Sequence, residues 1–469
     1  MTFPHFHRTA GGGQVDFSGP NVRRSVLAVA APMLVAQILN LLYNIVDRIY
    51  IGKIPGHGTL ALAGLGLCFP LITLITAFAN LFGVGGAPLC SIARGQKDLN
   101  SARTILANAW FMLMACGLVL TLTVVGIVFH KPLLYLFGAS GDTYSYAAQY
   151  ITIYLLGTVF VMTSLGMNPY INSQGFARTG MLTVLLGAVA NIILDPILIF
   201  GLGLGVRGAA IATVLSQLLS AVWVMAFLTG PKAELRLVLK GFRPDVGIIK
   251  RILALGTSSF VMGFTDSLVQ VACNSTLSAF GGDLYISVMT VINSVRQIAQ
   301  TPVLALSDGA SPVISYNYGA RMADRVRAAI RFMTQLGFGY TLLIWGLISL
   351  FPETFIRIFN PDPELMAIAV PSLHIYFFGF VMMAFQFSGQ SVFKSLNKAK
   401  LAIFFSLLRK AIIVVPLTLL LPHVGGLGVN GVFLAEPISN LIGGLACYIT
   451  MRRTVMPELS AMERAKSAR

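Results

Sequence analysis

Five acidic residues stand where the surrounding sequence is apolar: Asp47 in YNIVDR, Asp195 in NIILDP, Asp266 in GFTDS, Asp308 in SDGASP and Glu436 in LAEP. A carboxylate at the centre of a bilayer costs roughly 2.5–3.5 kcal/mol on insertion scales, so such residues either pair internally or carry ions and protons. Asn44 lies three residues before Asp47 and shares its helical face. Arg48 follows directly, but neighbouring helical residues point about 100° apart, which makes that pairing poor. Asn191 lies four residues before Asp195, and Pro196 after it lacks a backbone N–H and disturbs the preceding turn. Acid, amide and a freed carbonyl together can hold a proton or Na+. Asp266 and Glu436 admit two readings, cation binding or helix–helix hydrogen bonding. Asp308, beside GASP, reads as structural, and His374 as a hydrogen-bonded structural histidine. Arg296, Arg409 and Lys410 also fall in or near spans and could neutralise some of these acids.

Other chemistry is missing. The five cysteines (Cys68, Cys90, Cys116, Cys273, Cys447) are odd in number, lie in apolar blocks and form no CxxC, which points away from disulfide and zinc frameworks. No GxxxxGK[ST], HExxH or GxSxG occurs, so neither a P-loop ATPase, a zincin nor a nucleophile-elbow hydrolase is indicated. No catalytic residues and no cofactor are expected.

The elements that must position these acids follow from composition. Hydrophobic residues make up 56% of the 469 and charged residues only 11%, against about 25% charged in soluble domains. Mean hydropathy is +0.79. The apolar residues recur in blocks long enough to span a bilayer, about 20 residues each. Twelve helices are expected, with cores near 25–51, 59–90, 102–129, 145–172, 180–203, 208–229, 249–280, 285–317, 326–351, 366–393, 399–421 and 429–451. The opening MTFPHFHRTAGGGQVDFSG has no apolar h-region and is not expected to be a cleaved signal peptide.

Net charge is +16. In a soluble chain this would suggest nucleic acid; here it reads as basic membrane loops, with no nucleic-acid partner. With both termini and the even-numbered connections on one side, Lys and Arg divide 25 to 4, the minority being Lys53, Lys131, Arg207 and Arg357. That makes the basic side cytoplasmic. The longest polar connection, 230–248, divides the spans six and six.

The halves repeat. A shift of 224 lays Gly85, Pro88, Ser91 and Gly95 on Gly309, Pro312, Ser315 and Gly319. A shift of 223 lays Gly205, Val206, Gly208, Ala212 and Ser216 on Gly428, Val429, Gly431, Ala435 and Ser439, and places Glu436 opposite Thr213. Six intervening helices give both halves the same orientation, hence a pseudo-two-fold axis along the membrane normal. The expected fold is all-α and integral to the membrane, as two six-helix bundles. Its parts are a cytoplasmic N-terminal tail (1–21), an N-lobe (22–229), a cytoplasmic linker (230–248), a C-lobe (249–453) and a cytoplasmic C-terminal tail (454–469). A cavity between rocking halves favours a transporter over a channel.

The runs APMLVAQILNLLYNIVDRIYIG, GGAP and GASP, NIILDPILIFGLGLGVRGAAIATVLSQ and GVNGVFLAEPIS together resemble the multidrug and toxic compound extrusion (MATE) transporters, in the branch called DinF- or MepA-like. The resemblance spans about residues 22–453. It implies efflux of drug-like organic compounds, often cationic and amphipathic, by antiport against H+ or Na+ with alternating access. The protein would then be a monomer in the lipid bilayer of a bacterial inner membrane. The family's N-lobe cation site falls on Asp47, Asn191, Asp195 and Thr213, with Na+ as an alternative to H+ at Asp47, Asn191 and Asp195. The NorM-like branch has a helix 7 acid, where Asp266 falls, and a helix 10 acid that 366–393 lacks, with Glu436 a substitute. The resemblance also implies a central cavity lined by helices 1, 2, 7 and 8. A flippase for lipid-linked precursors shares this architecture but calls for a strongly basic cavity. A membrane transferase would gather its acids in one interfacial loop, whereas here they are dispersed.

Overall fold

The structure is a computed structural model that describes residues 14–55, 58–125, 134, 141–239, 241–359 and 363–467. Residues 1–13 with Arg8, the turn at 56–57, Lys131, Lys240, the centre of the FNPDPE connection, and Arg469 lie outside the described residues.

The first half comprises α1 (Val22–Gly52), α2 (Gly58–Gly95), α3 (Leu99–Val125), α4 (Gly141–Leu156), α5 (Thr158–Ser173), α6 (Ala177–Pro196) and α7 (Gly205–Thr229). The second half opens with α8 (Val246–Gly319), two helical arms meeting at a kink where Gly282 has φ 73°. There follow α9 (Ala323–Leu350), the short α10 (Pro352–Arg357), α11 (Pro363–Phe377), α12 (Met383–Ser395), α13 (Ala399–Leu407), α14 (Val415–Leu420) and α15 (Val429–Ser467). Among the described residues there is no strand.

Nine of the described helices are long and apolar enough to cross a bilayer, and two bent pairs bring the number to eleven. The bent pairs are α4 with α5, at 59°, and α11 with the helical segment that ends in α12, at 42°. The arm of α8 after Gly282 is the remaining helix of the expected series. It is less apolar, because Asn293, Arg296, Gln297, Gln300 and Asp308 interrupt it. Large apolar side chains point outward along the bundle, among them Leu118, Val119, Ile193, Val222, Phe264 and Val271. Such a belt suits lipid as solvent, and the protein is a multi-pass membrane protein.

The repeat governs local geometry. Asn21 caps α1 by accepting from the Arg24 N–H at 3.1 Å, and Asp245, 224 residues on, caps α8 by accepting from Gly247 and Ile248 at 2.8 and 3.1 Å. Lys97 and Arg321, also 224 apart, both take left-handed φ, 62° and 56°, where a helix must stop and reverse. Ser91 donates to the Ser173 carbonyl, and its counterpart Ser315 donates to that of Ser395.

The close approach of α2 to the second arm of α8 shows the symmetry most directly. A Cβ on Gly95 would strike the Tyr316 carbonyl oxygen, and a Cβ on Gly319 would strike that of Ile92. Shifting Gly95 and Ile92 by 224 gives Gly319 and Tyr316. A contact in which each partner repeats the other's role is the mark of a two-fold axis, and this one passes between the two glycine pairs. Further along, Gly85 packs on the backbone of Ile252 and Gly256, while Gly309 packs on Ala30. Each half thus lends one helix to the other's face.

Residues 454–467, expected as a tail, continue α15 as helix and pack at the same end of the bundle. There Glu458 accepts from Lys398 at 2.6 Å and from the Tyr318 hydroxyl at 2.5 Å.

Candidate functional site

Helices α1, α6 and α7 of the first half bring four expected side chains together. Asp47 is 8% exposed, Asn191 2%, Asp195 0% and Thr213 8%. Local register supplies part of the arrangement: one turn separates Asn191 from Asp195, and Asn191 Nδ2 donates to Asp195 Oδ1 at 3.3 Å. Packing supplies the rest. Helix α1 lies along α6, which brings the Asp47 carboxyl within hydrogen-bonding reach of Asp195. Carboxylates offer acceptors only, and Asp195 Oδ2 meets no donor. A shared proton or a small cation supplies what this arrangement lacks.

Thr213 donates to the Ala209 carbonyl at 3.0 Å, so its oxygen remains able to accept, and Tyr150 from α4 lies in hydrogen-bonding reach of it. Tyr43, one turn before Asp47, is in electrostatic contact with both acids. Asn44 turns its amide back onto the Asn40 carbonyl at 2.6 Å. The two tyrosines were not singled out in the sequence. Tyr43 carried a signal, its spacing of four from Asp47; Tyr150 carried none, since only the fold brings α4 to this point. The loosened backbone expected at Pro196 takes the form of a π-helical turn, Ile197–Gly201, a feature that recurs at functional sites.

Beside the acids a cavity of about 190 Å³ opens, with Gln37, Asn40, Tyr43, Asn168, Asn191 and Thr213 among its polar side chains and Met33, Leu165, Met181 and Val184 among its apolar ones. Met33, Leu165, Asn168 and Asn172 also border a second cavity, of about 260 Å³, between the halves. Its wall is drawn from α1, α2 and both arms of α8, which are the first, second, seventh and eighth expected spans, and also from α5 and α12. It carries Asp308 and Lys394, which lie in electrostatic contact. Where the Gly95 and Gly319 contact closes the bundle, Arg94 pairs with Glu234 and lies over the rings of Phe17 and Tyr316.

In the second half, Asp266 and Glu436 meet internal counter-charges. Arg409 Nη1 donates to Glu436 Oε1 and to Asn440 Oδ1, both at 2.9 Å. Lys410 Nζ lies 3.2 and 3.3 Å from the two Glu436 oxygens and 3.2 Å from Asp266 Oδ1. A π-helical turn, Leu408–Val414, carries both basic residues. Arg296 is in electrostatic contact with the same acids. His374 lies 3.0 Å from the Ser349 carbonyl, as suits a structural histidine. Among the described residues no group of three or more His, Cys, Asp or Glu forms a metal cage. Two acids and an amide offer few anionic ligands, which makes any cation binding here weak.

Comparison with known proteins agrees with this architecture. The MatE family model matches residues 32–197 and 259–420. The chain is 23% identical over 451 residues to the multidrug export protein MepA of Staphylococcus haemolyticus (strain JCSC1435), covering 95% of this chain and 98% of that one. The MepA of Staphylococcus aureus (strain MSSA476) matches with the same identity and coverage. Among solved structures, one described as the outward-facing conformation of a multidrug resistance MATE family transporter of the MOP superfamily superposes with TM-score 0.88 at 23% identity, covering 97% of this chain and all of that one. Another, of a MATE protein in the bent conformation, superposes with TM-score 0.89 at 24% identity, covering 96% and 98%. Family match, shared fold and the repeated half-bundles lead to one conclusion: this chain belongs to the MatE family of membrane transporters, and is not an enzyme.

Proposed function

We propose that the protein exports drug-like organic compounds in exchange for H+ or Na+, and that the Asp47–Asp195 pair couples the ion to the change in access. The observation that carries this reading is the facing carboxyl pair, steadied by Asn191 and set beside a cavity lined by both polar and apolar side chains. A substrate site of that kind accepts varied amphipathic molecules. The MepA relatives, named as multidrug exporters, support the same substrate class.

Coupling works through charge. With both acids ionised and empty, their repulsion inside a low-dielectric bundle disfavours the closed packing of α1 on α6. A proton or Na+ removes that repulsion and lets the half-bundle close, which expels substrate from the adjoining cavity. One charge falling through 100 mV releases about 2.3 kcal/mol, enough for a roughly fifty-fold substrate gradient.

With the basic end of the bundle facing the cytoplasm, the Gly95–Gly319 contact is a cytoplasmic closure and the conformation is outward-facing. A flippase of the same architecture is favoured less, because the cavity between the halves carries one acid and one base rather than the basic wall that a phosphorylated lipid-linked precursor requires.

Reconstituted vesicles test the reading. Substrate efflux should rise with an imposed pH or Na+ gradient and collapse in both Asp47→Asn and Asp195→Asn proteins. Undiminished efflux in both variants would remove the acids from the mechanism. In cells, drug accumulation with and without a protonophore should separate export from lipid flipping.

A further inference from the structure

The charge cluster of the second half occupies the place that the repeat assigns to a second cation site. The correspondence holds at the level of helices: α8 supplies Asp266 about one turn before Gln270, the residue at the shift of 223 from Asp47 of α1, and α15 supplies Glu436 at the position equivalent to Thr213 of α7. Thr418, after the π-helical turn, stands at the shift of 223 from Asp195, and Tyr376 of α11 faces the same small cavity as Tyr150 of α4 faces the first site. The contents differ in sign. The first site gathers two acids, an amide and hydroxyls. The second gathers Asp266 and Glu436 with Arg409, Lys410 and, in electrostatic contact, Arg296.

We propose that the Lys410 ammonium is a tethered cation that permanently fills the second half's counterpart of the ion site. This rests on reading the Asp47–Asp195 pair as the exchanging site. The geometry fits the role. Lys410 Nζ sits among three carboxylate oxygens at 3.2–3.3 Å, coordinating both acids at once, as a bound ion would. It is buried, with only 3% of its side chain exposed, and Arg409 holds Glu436 from another side at 2.9 Å. The π-helical turn widens the backbone where two consecutive basic residues must both reach one glutamate. An external cation entering this cluster would meet like charge from Lys410, Arg409 and Arg296. Exchange is therefore confined to the first half, and the second half holds its charge throughout the cycle.

The idea can be tested by counting bound cations on purified protein, as tracer Na+ and as protons taken up on acidification. The starting background is Asp47→Asn/Asp195→Asn, which lacks the exchanging acids. It should bind no Na+, and its proton uptake sets the baseline against which the further variants are counted. Adding Lys410→Gln should create a single cation site, which a further Glu436→Gln should abolish and which Lys410→Arg should not produce. A cation bound by the starting background and lost with Glu436→Gln would overturn the proposal, as would absence of any new site in the Lys410→Gln protein. The charge-balanced pair Lys410→Gln/Glu436→Gln, made in the native background, guards against misfolding. It should transport with the native ion dependence, and loss of that dependence would show that Glu436 carries an exchanging ion. The first-half reading fails separately, if the native protein and the Asp47→Asn/Asp195→Asn protein bind the same number of cations.

Discussion

At the scale of single residues, the proposed coupling rests on two carboxyl groups that cannot both stay charged and close. Asp→Asn preserves shape, so Asp47→Asn and Asp195→Asn should each reach native membrane levels while ion-driven efflux falls on the order of tenfold or more, a change of about 1.4 kcal/mol; vesicle flux assays measure it. Asp266→Asn should cost less, because that acid is already paired with Lys410. Asn191 is the donor that holds Asp195, so Asn191→Ala leaves a buried acceptor unmet and should destabilise the protein by about 1–3 kcal/mol, seen as a lower melting temperature in detergent. These acids were legible in the sequence because charge in an apolar run is conspicuous. Arg409 and Lys410 were visible in the same way, but not that both converge on Glu436. That depends on a π-helical turn that no residue of LRKAIIV announces.

At the scale of elements, bends and caps place the site. The α4–α5 pair bends at Gly157, where a Cβ would strike the Val214 side chain of α7. Gly157→Leu should therefore push α4, with Tyr150, away from Thr213 and weaken export more than expression; flux normalised to membrane protein measures this. Asp98 directly precedes helix α3, and its carboxyl accepts from the Ser101 N–H and hydroxyl at 2.9 and 2.6 Å. Those hydrogen bonds hold Asp98 below the usual carboxylate range. A group with a lowered folded pKa adds stability above its unfolded value and loses it as pH falls through the folded one. Stability of this turn should thus fade only below about pH 4, followed by amide hydrogen exchange at the start of α3. Span positions were readable from hydropathy alone. The bends were not, since a bent pair and a straight helix have the same composition.

At the scale of the whole molecule, the halves meet at a closed end that the N-terminal segment straps. Gln14 Nε2 donates to the Gln174 carbonyl at 3.0 Å and Val15 N to that of Gly175 at 2.9 Å, both in the first half. Two residues on, the Phe17 carbonyl accepts from Asn317 at 3.0 Å and Arg325 at 2.9 Å in the second half. The Phe17 ring is buried against Tyr316. Phe17→Ala should loosen this end, so that cysteines introduced at Ser91 and Ser311, both on the wall of the cavity between the halves, react faster with a thiol reagent from that side. The topology has its own check. Cysteines at Lys53 and Arg243, exposed at opposite ends of the half-bundle series, should label from opposite sides in a background where Cys116, the one described cysteine that is not buried, is replaced by Ala. Labelling of both from the same side would end the proposed orientation.

The sequence by itself determined the class of the molecule, the approximate span positions, the repeat and the identity of the first-half acids. Each of these is written in local composition or in a fixed offset, and burial in lipid leaves the chain few alternatives to helices. The tertiary structure decided which distant residues meet. It set Asp47 of α1 against Asp195 of α6 and added Tyr150 from α4. It also gave Lys410 to Asp266 and Glu436, and ran Phe17 across to Asn317. The physical reason is that hydropathy fixes how deep a residue lies and periodicity fixes its face, but neither fixes which neighbouring helix that face meets. Close glycine contacts such as Gly95 on Tyr316 and Gly319 on Ile92 make that choice, by allowing only certain helix pairs to approach.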